Sequence, residues 1–212
     1  DQYMHERLWL VDEQLIRIQK TLRELVEFSR PSSSTATNCD IQVVLEAALR
    51  IAKYYKRMKG KTVRTRYADG LPIVTLVRDH ILQVFLNLIL NALDASEEGT
   101  FIEITTAVEN ERLVITFRDQ GHGIAPVDQP RLFTPYFTTK PTGTGLGLFV
   151  CRNILTETGG DIELVESSPE GTTFRVILSG PELAGCPDIA PPPDENQAPS
   201  PVEPASSSSS VS

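Results

Sequence analysis

Asn87-Leu-Ile-Leu-Asn91-Ala-Leu-Asp-Ala95 carries two amides four residues apart in a run that is otherwise largely apolar. Four residues is close to one helical turn, so both amides lie on one face of a helix. Their apolar neighbours put that face at the border of a core, where an amide without partners is costly. The face therefore lines a polar cleft or binds something. An amide oxygen is a hard donor that suits Mg²⁺ already carrying phosphate oxygens. Taken alone, the spacing fits helix capping or helix-to-loop bonding equally well.

Further along, Asp119-Gln-Gly121-His-Gly123 follows an expected strand. Two glycines let the backbone approach a flat ligand, and the carboxylate can accept a bond from an exocyclic amine such as that of adenine. A plain turn would also use such glycines. The third element is Gly143-Thr144-Gly145-Leu146-Gly147-Leu148, which leads straight into a helix. Free backbone N–H groups at a helix start form an anion site suited to phosphates. The P-loop pattern is absent, and the glycine spacing and surroundings are not those of a dinucleotide fingerprint. Between these two lies Leu132-Phe-Thr-Pro-Tyr-Phe-Thr-Thr-Lys140. Phe133 and Phe137 can anchor a mobile loop in a hydrophobic slot, leaving Lys140 near a terminal phosphate. A surface loop with incidental aromatics is the alternative. The order of these elements, followed by Gly171-Thr-Thr173-Phe on a closing strand, is what makes the set informative.

Around the motifs the chain reads as alternating helices and strands. Asp40 is an N-cap for a helix to about Arg57. Val63–Tyr67 alternates like a strand, and Pro72–Thr75 is a short one. A long helix runs from about Arg78 to Glu97 and stops at Gly99. Phe101–Val108 and Arg112–Arg118 flank a tight turn, and a Gly/Pro/Thr-rich stretch from Gln120 to Gly145 is too long for an ordinary connector. A helix from Leu146 to about Thr158 and the hairpin Asp161–Glu166 with Thr172–Leu178 complete the domain. Helices on one face of a mixed sheet make a two-layer α/β sandwich.

The ends differ from this body. Met4, Leu8, Val11, Leu15, Ile18, Leu22 and Leu25 form a heptad stripe, the seam of a bundle helix that needs a partner. The expected organisation is a partial bundle over residues 1–31, a linker over 32–39, the α/β domain over 40–180 and a disordered tail over 181–212. That tail holds eight prolines, five acids and no Lys or Arg. Removing those five charges from the net −8 leaves −3 for the rest, which argues against a nucleic-acid groove. Three cysteines without paired spacing point to a reduced, cytoplasmic setting without disulfides or zinc. The chain opens on Asp1 rather than Met, so an upstream part, with a membrane anchor or sensor, is expected to be missing.

The wording and order of these motifs resemble the Bergerat-fold (GHKL) ATPases, and within them the sensor histidine kinases of two-component systems, over roughly residues 13–180. Gln83–Ala95 is similar to that family's N box, Asp119–Gly123 to its first glycine box, Leu132–Lys140 to its F box and Gly143–Leu148 to its second glycine box. Arg17–Pro31, ending Leu-Val-Glu-Phe-Ser-Arg-Pro, resembles the second helix of the dimerisation and phosphotransfer bundle. The resemblance implies a Bergerat ATP-binding fold with ATP and Mg²⁺ as cofactors. It implies that Asn91 holds Mg²⁺, that Asn87 supports the phosphate side, and that Asp119 binds the adenine amine with Thr173 helping through water. Gly121 and Gly123 would shape the adenine edge, while Lys140 and the amides around Gly143, Thr144, Gly145, Leu146 and Gly147 would hold the phosphates. Asn91 and Lys140 are the implied catalytic pair.

The same resemblance implies transfer of the γ-phosphoryl group to a histidine on a bundle helix, with a response regulator receiver domain downstream and a homodimer once the bundle is complete. His5-Glu6 lies only 23 residues before Phe28, too few for a helix and a turn, and lacks the family's continuation. The acceptor histidine is therefore expected outside this chain. His80 and His122 are expected to make local hydrogen bonds, since the three histidines show no metal-ligand spacing.

Overall fold

The computed structural model describes residues 35–55, 58–140 and 143–179. The heptad segment, His5 and the acidic tail lie outside the described residues. In chain order the elements are β1 (Thr37–Cys39), α1 (Ile41–Ala52), β2 (Thr62–Arg66), β3 (Val74–Leu76), α2 (Arg78–Ala95), β4 (Phe101–Glu109), β5 (Arg112–Arg118), a 3₁₀ turn (Gln129–Arg131), α3 (Gly147–Glu157), β6 (Asp161–Ser168) and β7 (Gly171–Leu178). Five strands form one sheet in the order β2-β4-β5-β7-β6. β2 runs parallel to β4, and the other pairs are antiparallel, so the sheet is mixed.

Period-two alternation decides which face of the sheet is inside. Ile102 and Ile104 of β4, Leu113, Ile115 and Phe117 of β5, and Phe174, Val176 and Leu178 of β7 are buried. Their faces meet the helices, and Phe85 of α2 packs on Phe117 with ring centroids 5.8 Å apart. α2 lies between α1 and α3 in this layer and touches both. The opposite face carries Glu103, Thr105, Thr116 and Arg175, all only partly buried. The architecture is the expected two-layer α/β sandwich of the Bergerat type. Among the described residues no helix is long and apolar enough to cross a membrane.

The local signals act where the sequence puts them. Asp40 caps α1, its carboxylate accepting from the amides of Gln42 at 2.9 Å and Val43 at 3.5 Å. The β4–β5 hairpin turns at Asn110 and Glu111, both at positive φ, as a two-residue turn matched to strand twist requires. Two helices end at least two residues short of expectation. α1 stops at Ala52 rather than near Arg57, because Lys53, Tyr54 and Tyr55 just beyond it are exposed, Tyr54 at 92%. α2 stops at Ala95, where Ser96 becomes extended, donates to the Ala92 carbonyl through its backbone N–H at 3.1 Å and its hydroxyl at 2.7 Å, and bridges to Gly121.

Thr37–Cys39, expected within a linker, form a strand. They pair antiparallel with Val74–Leu76, and Cys39 is buried with its thiol 3.6 Å from the Leu76 carbonyl.

Candidate functional site

A cavity of about 390 Å³ opens between the C-terminal half of α2 and the long connection from β5 to α3. That volume fits a small-molecule or cofactor cleft. α2 contributes Asn87, Asn91 and Asp94, which share a face because they recur at helical spacing. The long connection contributes Asp119, Gly123 and Lys140. The bridge between Ser96 and Gly121, and a bond from the His122 amide to the Ala95 carbonyl at 3.3 Å, tie that connection to the end of α2.

One end of the cleft is built on Asp119, which is 5% exposed. Its Oδ1 accepts the backbone N–H of Gly121 at 2.9 Å and of Thr172 at 3.1 Å. Both bonds fall on one oxygen, and among the described residues no hydrogen bond falls on Oδ2. A buried carboxylate with one fixed and one open oxygen is a site for a donor on a flat ligand. The glycines make this geometry possible. At Gly123, with φ +72°, a side chain would run into the Ser168 carbonyl, and at Gly121 a Cβ would lie 2.5 Å from the Ala95 carbonyl oxygen.

Burial pushes the Asp119 carboxyl above its ordinary value. The Gly121 and Thr172 amides and the charges of His122 and Lys140 oppose that shift without cancelling it. An acid whose folded-state pKa exceeds its unfolded one destabilises the fold as pH rises through that window, since ionising it in place is harder than in water. Asp119→Asn keeps the acceptor oxygen and removes the charge, so we expect a higher Tm than wild type at neutral pH. The difference should shrink as pH falls through the carboxylate range, where Asp119 is protonated in both states. Thermal unfolding over that range checks this, and a variant less stable than wild type at neutral pH would contradict it.

The other end is polar. The Lys140 ammonium donates to Asn91 Oδ1 at 3.1 Å and to Asp94 Oδ2 at 3.0 Å. Two hard oxygens on one helix face thus already hold a positive charge at this spot. Gly147 opens α3 opposite Asn87: a Cβ there would sit 3.9 Å from the Asn87 amide carbon. The N-cap residue of α3, Leu146, makes no side-chain cap hydrogen bond, and the helix start faces the cleft with its backbone, the kind of end that suits an anion. Phe133 and Phe137 are both half-buried against the core. Phe133 meets Phe174 edge-on at 6.4 Å, with the Arg152 guanidinium over its ring at 4.7 Å, and the Arg131 guanidinium covers Phe137 at 4.6 Å. These contacts fix the ends of a loop whose middle includes Tyr136 at φ +63°.

Nine expected site residues line the cleft: Asn87, Asn91, Asp119, Gly123, Lys140, Gly143, Thr144, Gly145 and Gly147. Three do not. Thr173 is replaced by Thr172, because β7 alternates and Thr172, Phe174 and Val176 point inward. Gly121 lies behind the lining, packed on Ala95. The Leu146 side chain is buried with Val150 and Ile154, at the four-residue spacing of one helix face. The sequence reading missed Asp94, Thr172, Thr138 and His122, all of which line the cleft. The period of β7 would have pointed to Thr172, and the NxxxN face itself to Asp94. His122 makes the expected local bond, its Nδ1–H meeting the Gly123 carbonyl at 2.8 Å.

Residues 76–182 match the family of histidine kinase-, DNA gyrase B- and HSP90-like ATPases. The sensor histidine kinase ZraS of Escherichia coli is 31% identical over 82% of this chain and 37% of its own length. Sporulation kinase C of Bacillus subtilis is 26% identical over 80% of this chain and 40% of its own length. The chain thus spans well under half of these relatives. Among solved structures, the catalytic domain of histidine kinase ThkA superposes with a TM-score of 0.62 at 28% identity, covering 68% of this chain and 95% of that domain. Full-length ShkA in complex with AMPPNP superposes with a TM-score of 0.67 at 21% identity, over 79% of this chain and 36% of that one, a likeness of fold.

Proposed function

Because the chain belongs to the histidine kinase-, DNA gyrase B- and HSP90-like ATPase family, we propose that it is the ATP-binding kinase module of a two-component sensor histidine kinase. It passes the γ-phosphoryl group of Mg-ATP to a histidine outside this chain, for relay to a response regulator aspartate. The observation that carries this reading is the polarity of one cleft: an open carboxylate oxygen at Asp119, and at the far end Lys140 held between Asn91 and Asp94. Full-length ShkA, of like fold, is in complex with AMPPNP, which supports a nucleotide here.

In this account Asp119 Oδ2 accepts the adenine amine, while Gly123 and Thr172 shape the base pocket. Lys140 leaves Asp94 to meet the terminal phosphate, together with the amides between Gly143 and Gly147. Asn91 supplies an oxygen to Mg²⁺, and the cation already bound to that oxygen, the Lys140 ammonium, is what argues that the site suits one. Mg²⁺, when bound, neutralises phosphate charge as it does in other phosphoryl transfers. The chain's own contribution is to hold the γ-phosphoryl in line with the incoming imidazole nitrogen. A P–N bond then forms as the bond to the β-phosphate oxygen breaks, ADP departs, and the imidazole proton goes to a base beside the acceptor.

The partners are the histidine-bearing bundle helix of the same or a partner kinase and a receiver domain, with a homodimer when the bundle is complete and no nucleic acid. The module works in the cytoplasm. Mixing the chain with Mg-ATP and a separate bundle that carries the acceptor histidine tests the reading. Acid-labile phosphate on the bundle is the expected result, and nucleotide binding without any transfer to such bundles would contradict it.

A further inference from the structure

Cys151 lies on α3, fully buried behind the cleft rather than in its lining. Its thiol bridges two helices. The sulfur is 3.9 Å from the Val84 carbonyl, to which its S–H donates, and 3.8 Å from the Asn87 Nδ2, from which it accepts. Val84 and Asn87 are three residues apart on α2, so one thiol contacts two adjacent groups of the same helix face. With its proton committed to Val84, the sulfur presents only an acceptor to Asn87. A side-chain amide has one donor end and one acceptor end. The nitrogen is thereby drawn inward, and the Asn87 oxygen is turned away from the sulfur. A flipped amide would set oxygen against an acceptor sulfur and lose the bond.

We propose that Cys151 is a positioning residue for the phosphate end of the cleft, orienting the Asn87 amide with its oxygen toward the Mg-ATP site. The proposal rests on the reading of this cleft as that site. Two features support it. Gly147, at the start of the same helix, faces the Asn87 amide, a Cβ there falling 3.9 Å from the amide carbon. Complete burial also pushes the thiol up to about 12, so it stays an S–H donor at neutral pH and is no ready nucleophile. Groups of this kind, one shell behind a ligand, fix its orientation and affect affinity without touching the substrate.

Two substitutions separate orientation from packing. Cys151→Ser keeps a donor and an acceptor in a smaller volume. Cys151→Val fills the space and offers neither. The full chain is titrated with ATP in Mg²⁺ and in EDTA, with thermal unfolding recorded alongside. We expect C151V to weaken Mg-ATP binding about three- to tenfold, the scale of one lost hydrogen bond, with little change in EDTA. C151S should bind Mg-ATP nearly as wild type does even where its Tm falls. Cys151→Ala removes the same bond with less bulk and should follow C151V, which covers a failure of C151V to fold. Wild-type Mg-ATP affinity in C151V or C151A would overturn the proposal and leave Cys151 a packing residue. A wild-type chain with no Mg²⁺-dependent ATP binding would instead overturn the functional reading, and this inference with it.

Discussion

Asp119→Ala is expected to lower ATP affinity about ten- to hundredfold, equivalent to about 1.5–3 kcal/mol for a charge-assisted bond. The carboxylate is held by two backbone N–H groups on Oδ1, from Gly121 and Thr172, so its second oxygen is aimed without any reorganisation. Removing it deletes the acceptor for the adenine amine and frees two buried amides, so some stability is lost as well. Asp119→Asn separates the effects. It preserves the bonds on Oδ1 but sets an amide nitrogen against the adenine amine, so affinity should fall to a similar degree while Tm rises at neutral pH. Calorimetric titration of both variants checks this. Wild-type affinity in either would sink the adenine assignment.

Asn91→Ala is expected to weaken ATP binding by at least about tenfold in Mg²⁺, the scale on which groups that hold or orient a metal contribute. In EDTA the same substitution should matter little. Asn91 is partly buried on α2, and its Oδ1 now accepts from Lys140 at 3.1 Å. Its loss leaves Lys140 with Asp94 alone, an ion pair whose lysine side chain is 37% exposed and therefore well screened. The helix should survive, since alanine favours it. An equal loss of affinity in Mg²⁺ and EDTA would point to disrupted folding and contradict the metal assignment.

Much of this was legible in the chain because local periodicity carried it. The two-residue alternation of β4, β5 and β7 and the apolar spacing of α2 announce a sheet covered on one face, and Asp40 and the Asn110–Glu111 turn mark element ends. β1 was not legible: three residues carry no period, and their partner Val74–Leu76 lies far along the chain. Thr172 and Thr173 are chemically alike, so only register separates the residue facing the cleft from the one facing away. Lys140 was placed by its motif, but its pairing with Asp94 spans 46 residues and depends on how the long connection folds back over α2. Leu146 sits inside a glycine-rich phosphate pattern yet belongs to the core, because a helix start presents backbone to one side and side chain to the other.

The central claim is that this cleft binds Mg-ATP and recognises adenine through Asp119. Competitive calorimetry of the wild-type chain with ATP and GTP in Mg²⁺ tests it most directly, because guanine carries a carbonyl where adenine carries the amine. One-to-one ATP binding, at least about tenfold tighter than GTP, is the result the account predicts, since two acceptors facing each other forfeit the bond. Equal affinity for the two nucleotides, or no saturable binding of either, would contradict it.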